Sequence, residues 1–510
     1  MNPALEDQLF EEILRARPRV YDVGAPTPVQ DISLPENPYR VFIKREDLGP
    51  INAYKWRGAY NAVRVYHEKN GCKTVVAASA GNHAQGVALA ARELGLKAKI
   101  YMPLSTPMMK QVAVKRHGGD AVDIILTGDT YNESSDAAKE YAKKQKLTYI
   151  HPFDDIYTIA GQATIADEIM LSGLGGFDYA FVQIGGGGMA GAVAAWLKVH
   201  NPTIKIIGVE GVDQASMKAS VEAGKPVTLK SVDTFCDGTA VTRPGDLTFD
   251  ICRKYIDAFM TVTNEEVCAA IARMWDARRV IPEPSGAMGL AGLTKFAEEN
   301  PKAVKGKKLL AILCGANMDF GKISMIAQRA GIGAHRKRYL RFHIGEKKGG
   351  LLSLLEDHFR DLNVSEFQYG KTHAREAWPI IGVEAPPERM ETLSGELKRA
   401  GVTFDDVTMD PDVRYRIINY NPALFSHPLL MQVQFPERKG ALRQFMRTIS
   451  GVANVCYFNY MYSGETIGRA LMGFEFEKKD DQKKFLTLIK DTPVACQKLD
   501  DAVADRILSF

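Results

Sequence analysis

Between Val41 and Phe320, short apolar runs alternate with longer amphipathic stretches: Val41-Phe42-Ile43, Thr74-Val75-Val76-Ala77, Ala98-Lys99-Ile100-Tyr101, Tyr179-Ala180-Phe181-Val182, Lys205-Ile206-Ile207-Gly208-Val209 and Leu309-Leu310-Ala311-Ile312-Leu313. The runs have strand length and the spacers helix length, so the pattern predicts strands alternating with helices. Continuous Val/Ile/Leu strands belong to mostly parallel open sheets covered on both faces. That is an α/β architecture, in which ligands gather at the carboxyl ends of the strands.

The pattern changes after Ala334. A basic stretch leads into Tyr339-Leu340-Arg341-Phe342-His343-Ile344, and beyond it the chain repeats itself at an offset of 91 residues, counted from Asn363 to Asn454. Gly345-Glu346-Lys347-Lys348-Gly349-Gly350-Leu351 matches Pro436-Glu437-Arg438-Lys439-Gly440-Ala441-Leu442. Asn363 to Tyr369 matches Asn454 to Tyr460, and Gly382 matches Gly473. Each copy reads as strand, glycine turn, helix, strand, turn, strand, and then helix and strand. The C-terminal third therefore divides into two α+β modules, 341–425 and 426–510, after a linker at 331–340. Neither copy holds a catalytic cluster, so binding or regulation is the expected role.

Composition narrows the class. The 510 residues are 45% hydrophobic and 25% charged, the profile of a soluble globular protein of two to four domains. A net charge of +4 with both signs interspersed leaves no footprint for nucleic acid, and the cluster His335-Arg336-Lys337-Arg338 is too short to make one. Seven scattered cysteines without a Cys-x-x-Cys pair argue against a disulfide framework and against a metal site, and fit a reducing cytoplasm. The acidic opening and the lack of an apolar run near ~20 residues point away from export and from membranes.

Three segments then carry chemistry: Asn52-Ala53-Tyr54-Lys55-Trp56-Arg57-Gly58-Ala59, Ser79-Ala80-Gly81-Asn82-His83-Ala84-Gln85-Gly86 and Gly185-Gly186-Gly187-Gly188-Met189. A fourth, Cys314-Gly315-Ala316-Asn317, ends the last strand-like run. Taken singly, Lys55 is a solvated lysine at a helix start, Ser79 to Gly86 a helix cap, and Cys314 a small buried residue. Together they imply pyridoxal 5'-phosphate: an amine can hold an aldehyde covalently, and a glycine-rich turn offers N–H groups to a phosphate. The Asn82 amide can face the cofactor ring, and the amides of Ser79, Ala80, Gly81, Asn82 and His83 suit a substrate carboxylate. A neutral thiol at the pyridine nitrogen favours β-elimination over transamination. A dinucleotide reading competes, because Gly186 to Gly191 satisfies Gly-x-Gly-x-x-Gly after a strand and Glu210 ends the next one. That reading leaves Lys55 and Asn82 without a purpose.

With Lys44-Arg45-Glu46-Asp47 upstream and Glu283-Pro284-Ser285-Gly286-Ala287 downstream, these segments resemble the threonine/serine dehydratase branch of pyridoxal-phosphate enzymes, from about Val20 to Phe320. The paired repeats resemble the ACT-like modules of the biosynthetic threonine ammonia-lyase family. The resemblance implies a two-lobed catalytic domain over 1–330, of fold type II and tryptophan synthase β-like, with a small lobe at about 47–155 inserted in the large one. It implies L-threonine as substrate, L-serine secondarily, and 2-oxobutanoate and ammonia as products on the way to isoleucine. Lys55 then carries the cofactor and acts as base, with Tyr54, Asn82, Gly185, Gly186, Gly187, Gly188, Met189 and Cys314 around it. Isoleucine, with valine as an alternative effector, is expected near Gly349-Gly350-Leu351 or Gly440-Ala441-Leu442, with Phe367 and Phe458 lining the slot. A homo-oligomer, a tetramer favoured, is also implied. Four positions depart from the family pattern: Ala53, Tyr54, Trp56 and Ala163. Serine racemases carry a serine where this chain has Ala80, which favours elimination over racemisation. A non-catalytic amino-acid sensor built on the repeats is the remaining alternative.

Overall fold

The computed structural model describes residues 3–436, 440–462, 467–490, 492 and 494–508. The chain up to Gly333 forms one compact unit and the chain from Ala334 a second. None of the described helices is long and apolar enough to cross a membrane.

In the first unit all six apolar runs are strands, and they sit at the centres of two sheets. One sheet has six strands in the order Val29–Asp31, Arg40–Arg45, Lys308–Leu313, Tyr179–Gln183, Lys205–Gly211 and Ala258–Val262. Every neighbouring pair in it is parallel except the first. The other sheet has four parallel strands, Val122–Leu126, Lys97–Met102, Thr74–Ala78 and Thr148–Tyr149. The central strands are buried on both faces, as continuous apolar runs require. Both sheets aim the carboxyl ends of their strands at one crevice.

A closed set of charges lies beneath that crevice. Arg57 is fully buried and holds Glu46 through Nε at 2.7 Å and Glu168 through Nη1 at 2.6 Å. Lys44, also fully buried, pairs with Glu168 and donates to the Thr27 carbonyl at 2.6 Å. Two cations and two carboxylates thus balance in the interior. Burial pushes the Glu46 carboxyl up, but Arg57 and Lys44 more than offset this and hold it near 2.

The second unit is one eight-stranded antiparallel sheet, ordered Phe404–Asp406, Lys337–Phe342, Ile380–Glu384, Asn363–Gly370, Asn454–Met461, Ile467–Glu475, Leu429–Pro436 and Ala495–Lys498. The four strands of each repeat occupy one half, and Asn363–Gly370 pairs with Asn454–Met461 at the seam. Even the irregularities are duplicated: a bulge falls between Val364 and Glu366 in one copy and between Val455 and Tyr457 in the other. Gly382 and Gly473 lie opposite those bulges, where an added Cβ would come within 2.9 Å of the Cβ atoms of Glu366 and Tyr457. That close approach explains the repeated glycine. The stretch read as a linker is mostly regular, since the helix Lys322–Gly333 is followed by the strand Lys337–Phe342. Glu437, Arg438 and Lys439 of the second turn motif lie outside the described residues.

Candidate active site

Lys55 is the residue before the helix Trp56–Asn70, and its position is set by the far end of the first unit. Tyr54 N–H donates to the Cys314 carbonyl at 3.0 Å and Ala316 N–H to the Asn52 carbonyl at 2.9 Å, with a bridge between Ala53 and Gly315. Asn52 takes a left-handed φ of 52° to make the turn. The Lys55 amine donates to the Pro152 carbonyl at 2.9 Å. Burial lowers its pKa to about 8, only partly offset by Cys314, so an appreciable neutral fraction is present near physiological pH.

Gly185 to Gly188 connects the strand Tyr179–Gln183 to the helix Gly188–His200. A Cβ on Gly186 would meet the Phe153 ring at 2.3 Å, and one on Gly188 the Phe153 Cβ at 2.9 Å. Gly187 has φ +91°. Phe153 therefore floors a cradle that side chains would fill, at the positive end of a helix, and this fits a phosphate. Thr248 braces it by donating to the Gly186 carbonyl at 2.6 Å.

Ser79 to Gly81 links the strand Thr74–Ala78 to the helix Asn82–Glu93. The Asn82 amide donates to Glu283 Oε1 at 2.8 Å and accepts from Asn317 Nδ2 at 2.8 Å. His83 is buried, with Nε2 against the Ile150 carbonyl at 3.1 Å. Burial, and secondarily Lys55, lower its pKa to about 3, so the ring is neutral and braces the fold. Cys314 Sγ faces the Ser285 carbonyl at 3.6 Å, and burial, with Glu283 adding, pushes its thiol far up.

All of these residues line one cavity of about 320 Å³: Tyr54, Lys55, Ser79, Ala80, Gly81, Asn82, His83, Gly185 to Gly188, Met189 and Cys314. Sequence reasoning missed Pro152, Phe153, Asn317, Lys110 and Asp237, and gave Glu283 no role. The last pair joins two elements across the cavity, Lys110 Nζ to Asp237 Oδ2 at 2.6 Å. A signal existed for the 151–155 segment, where Asp155 caps the helix Ile156–Met170 through the N–H groups of Tyr157 and Thr158. Of the four departures from the family pattern, Trp56 and Ala163 are core residues and Ala53 packs near Gly315, so only Tyr54 reaches the cavity. Glu210 accepts from the N–H groups of Met217 and Lys218 at 2.9 and 2.8 Å, capping the helix Ser216–Ala223. It stands outside the cavity lining, which removes the acidic member of the dinucleotide reading.

Residues 20–315 match the model of pyridoxal-phosphate dependent enzymes, and 328–417 with 425–506 match the C-terminal regulatory domain of threonine dehydratase. The biosynthetic L-threonine dehydratase of Haemophilus influenzae is 39% identical over 93% of this chain and 92% of its own length. The chloroplastic biosynthetic threonine dehydratase of Arabidopsis thaliana is 35% identical over 91% of this chain and 78% of its own length. Among solved structures, the processed form of threonine deaminase isoform 2 from Solanum lycopersicum aligns with a TM-score of 0.61 at 41% identity, covering 64% of this chain and 89% of that one. Maize serine racemase aligns with 0.57 at 30%, covering 62% and 96%. The chain belongs to the threonine dehydratase family of pyridoxal-phosphate enzymes.

The regulatory unit of this threonine dehydratase family member carries two small cavities related by the repeat, of about 30 and 40 Å³. Each is composite. The first takes Gly349, Leu351 and Tyr369 from one repeat and Met446 and Asn454 from the other, while the second takes Gly440, Ala441 and Leu442 with Leu355 and Asn363. Gly350 is in the turn but not in the lining. Phe367 and Phe458 are also absent from both linings: they are fully buried and stack on each other at the seam, with centroids 4.4 Å apart. Tyr369 and Tyr460 stand where these phenylalanines were expected. In the first cavity Glu346 accepts from Asn454 Nδ2 at 2.7 Å and from the Tyr369 hydroxyl.

Proposed function

We propose that this chain converts L-threonine to 2-oxobutanoate and ammonia, turns over L-serine as well, and is controlled by isoleucine bound at the paired modules. The observation that carries the reading is the Lys55 amine, its pKa lowered to about 8, facing the same cavity as the glycine cradle. Pyridoxal phosphate, when bound, supplies the electron sink for the α-carbon.

Lys55 would hold the cofactor covalently, and its free amine would take the substrate α-proton at Nζ. The N–H groups of Gly185 to Gly188 and Met189 hold the phosphate. Asn82 would donate to the cofactor's ring oxygen, and the neutral Cys314 thiol would face its ring nitrogen. The loop Ser79 to Gly81 and the first turn of the Asn82 helix bind the substrate carboxylate. Ala80 offers no hydroxyl to reprotonate the opposite face, which favours elimination over racemisation. One methyl group in a pocket is worth ~1–3 kcal/mol, so serine turnover persists. Product analysis tests this: 2-oxobutanoate from threonine is expected, whereas racemised serine without any 2-oxo acid would overturn it. Homo-tetrameric assembly and a cytoplasmic location belong to the same reading, and light scattering tests the first.

For the effector, the first-turn amides of the helix Gly350–His358 suit a carboxylate, and Glu346 suits an ammonium. Cavities this small hold little more than a water or two, so an amino acid must displace the turn to enter. That requirement gives isoleucine a conformational preference, and ~1–3 kcal/mol of coupling suffices for feedback. Valine fits the same polar contacts with less apolar burial. Glu346→Ala is expected to weaken isoleucine binding by roughly 10- to 100-fold through loss of a charge-assisted bond. Calorimetry on the full-length protein reads this, and unaltered isoleucine affinity would displace the site.

A further inference from the structure

Glu283 lines the catalytic cavity, yet neither the phosphate cradle nor Lys55 uses it. It precedes the helix Pro284–Glu299 but does not cap it with its side chain. Its carboxyl turns instead to the Asn82 amide, with Oε1 at 2.8 Å from Nδ2. Only glycine fits beside it, since a Cβ on Gly315 would lie 2.5 Å from that oxygen.

Three side chains settle which way Asn82 points. Asn317 Nδ2 donates both to the Ile51 carbonyl at 2.6 Å and to Asn82 Oδ1 at 2.8 Å, so both of its hydrogens are committed. The Asn82 oxygen therefore faces Asn317, and its nitrogen faces Glu283. One hydrogen on that nitrogen goes to Glu283. The other has no protein partner among the described residues, and Asn82 itself lines the cavity.

We propose that Glu283 is a positioning residue for the cofactor: its carboxylate locks the Asn82 amide so that the free N–H is presented to the cavity and to the cofactor's ring oxygen. This rests on the placement of the ring against Asn82 proposed above. The lock needs an acceptor, and protonation of Glu283 replaces a charged carboxylate with a weaker neutral carbonyl oxygen. Burial, with Asp237 adding, raises its pKa to about 7, against the Asn82 amide, Lys110 and the Asn317 backbone N–H. The lock is therefore strongest above about pH 7 and weakens below it.

Of the other groups facing Glu283, the Cys314 thiol and the Tyr54 phenol stay protonated across that range. Burial, then Glu283, push the Cys314 thiol far up, and burial, then Cys314 and Glu283, do the same for the Tyr54 phenol. Asp237 and Lys110 are paired with each other. Burial holds His83 near 3 and His151 near 4, and Lys55 is engaged with the cofactor in the holoenzyme.

The test is the absorbance of the bound cofactor in the holoenzyme, titrated from pH 5.5 to 8.5 without substrate. The wild-type protein is expected to show an inflection near 7, and Glu283→Gln, near-isosteric and always an acceptor, to lack it. Glu283→Ala should lose cofactor at least ~10-fold more readily by dialysis, with Glu283→Gln restoring most of the affinity. Should the alanine variant fail to fold, the glutamine titration decides alone. An unchanged inflection in Glu283→Gln overturns the proposal. Asn82→Ala separates the two layers: if its spectrum matches wild type, the ring placement is wrong; if it shifts while Glu283→Gln keeps the inflection, only the role of Glu283 fails.

Discussion

Replacing Lys55 by alanine is expected to cut 2-oxobutanoate formation by roughly 10⁴-fold or more, because one amine serves both as covalent anchor and as proton acceptor. Two lysines line the cavity, and they are not equivalent. Lys110 is held by Asp237 at 2.6 Å in a partly exposed ion pair. Lys55 donates to the Pro152 carbonyl, lies over the Tyr54 ring and has no carboxylate partner among the described residues, and its depressed pKa leaves a lone pair available. Reductive trapping followed by peptide mass spectrometry is expected to find the cofactor on Lys55. Label on Lys110, or substantial turnover in Lys55→Ala, would end the assignment.

The second large effect is on stability. Arg57→Ala leaves Glu46 and Glu168 facing each other in the interior with Lys44 as the one remaining cation, and breaking a buried pair in this way costs about 3–5 kcal/mol. Urea unfolding of the apoprotein reads the loss, and a midpoint within error of wild type would contradict it. The same cluster has an acid signature. Its Glu46 contribution is complete above the unfolded value of 4.5 and is lost as pH falls towards about 2, because the folded carboxyl is the stronger acid. The cluster lies directly behind Lys55 in the chain, so stability and catalysis share one helix start.

The strands that were legible in the sequence are the central ones. Tyr179–Gln183 and Lys308–Leu313 are covered on both faces, so nearly every position must be apolar and the run stands out. The edge strands Val29–Asp31, Val122–Leu126 and Ala258–Val262 are half exposed, mix polar with apolar positions, and left no such trace. The site divides in the same way. Asn82, the glycines and Cys314 follow strand ends and Lys55 opens a helix, places where a rare residue type announces itself locally. Glu283 and Asn317 matter only through Asn82, 201 and 235 residues away, and Pro152 only through Lys55, 97 away. No local pattern encodes such contacts. The 91-residue offset revealed two copies but not that they share one sheet, because pairing at the seam is a backbone property of Asn363–Gly370 and Asn454–Met461 that either copy alone leaves open.

That seam separates this chain from an assembly of two identical modules. In a dimer of identical modules, each substitution would alter both cavities at once, and their preferences would be forced to stay equal. Joined in one chain, the copies are free to drift. Ile344, Met446 and Ser450 around the first cavity stand opposite Phe435, Leu355 and Phe359 around the second. The first carries an aliphatic side chain and a hydroxyl where the second carries two phenylalanines. A single polypeptide can thus hold two dissimilar cavities on one ladder of strands, each free to acquire its own selectivity.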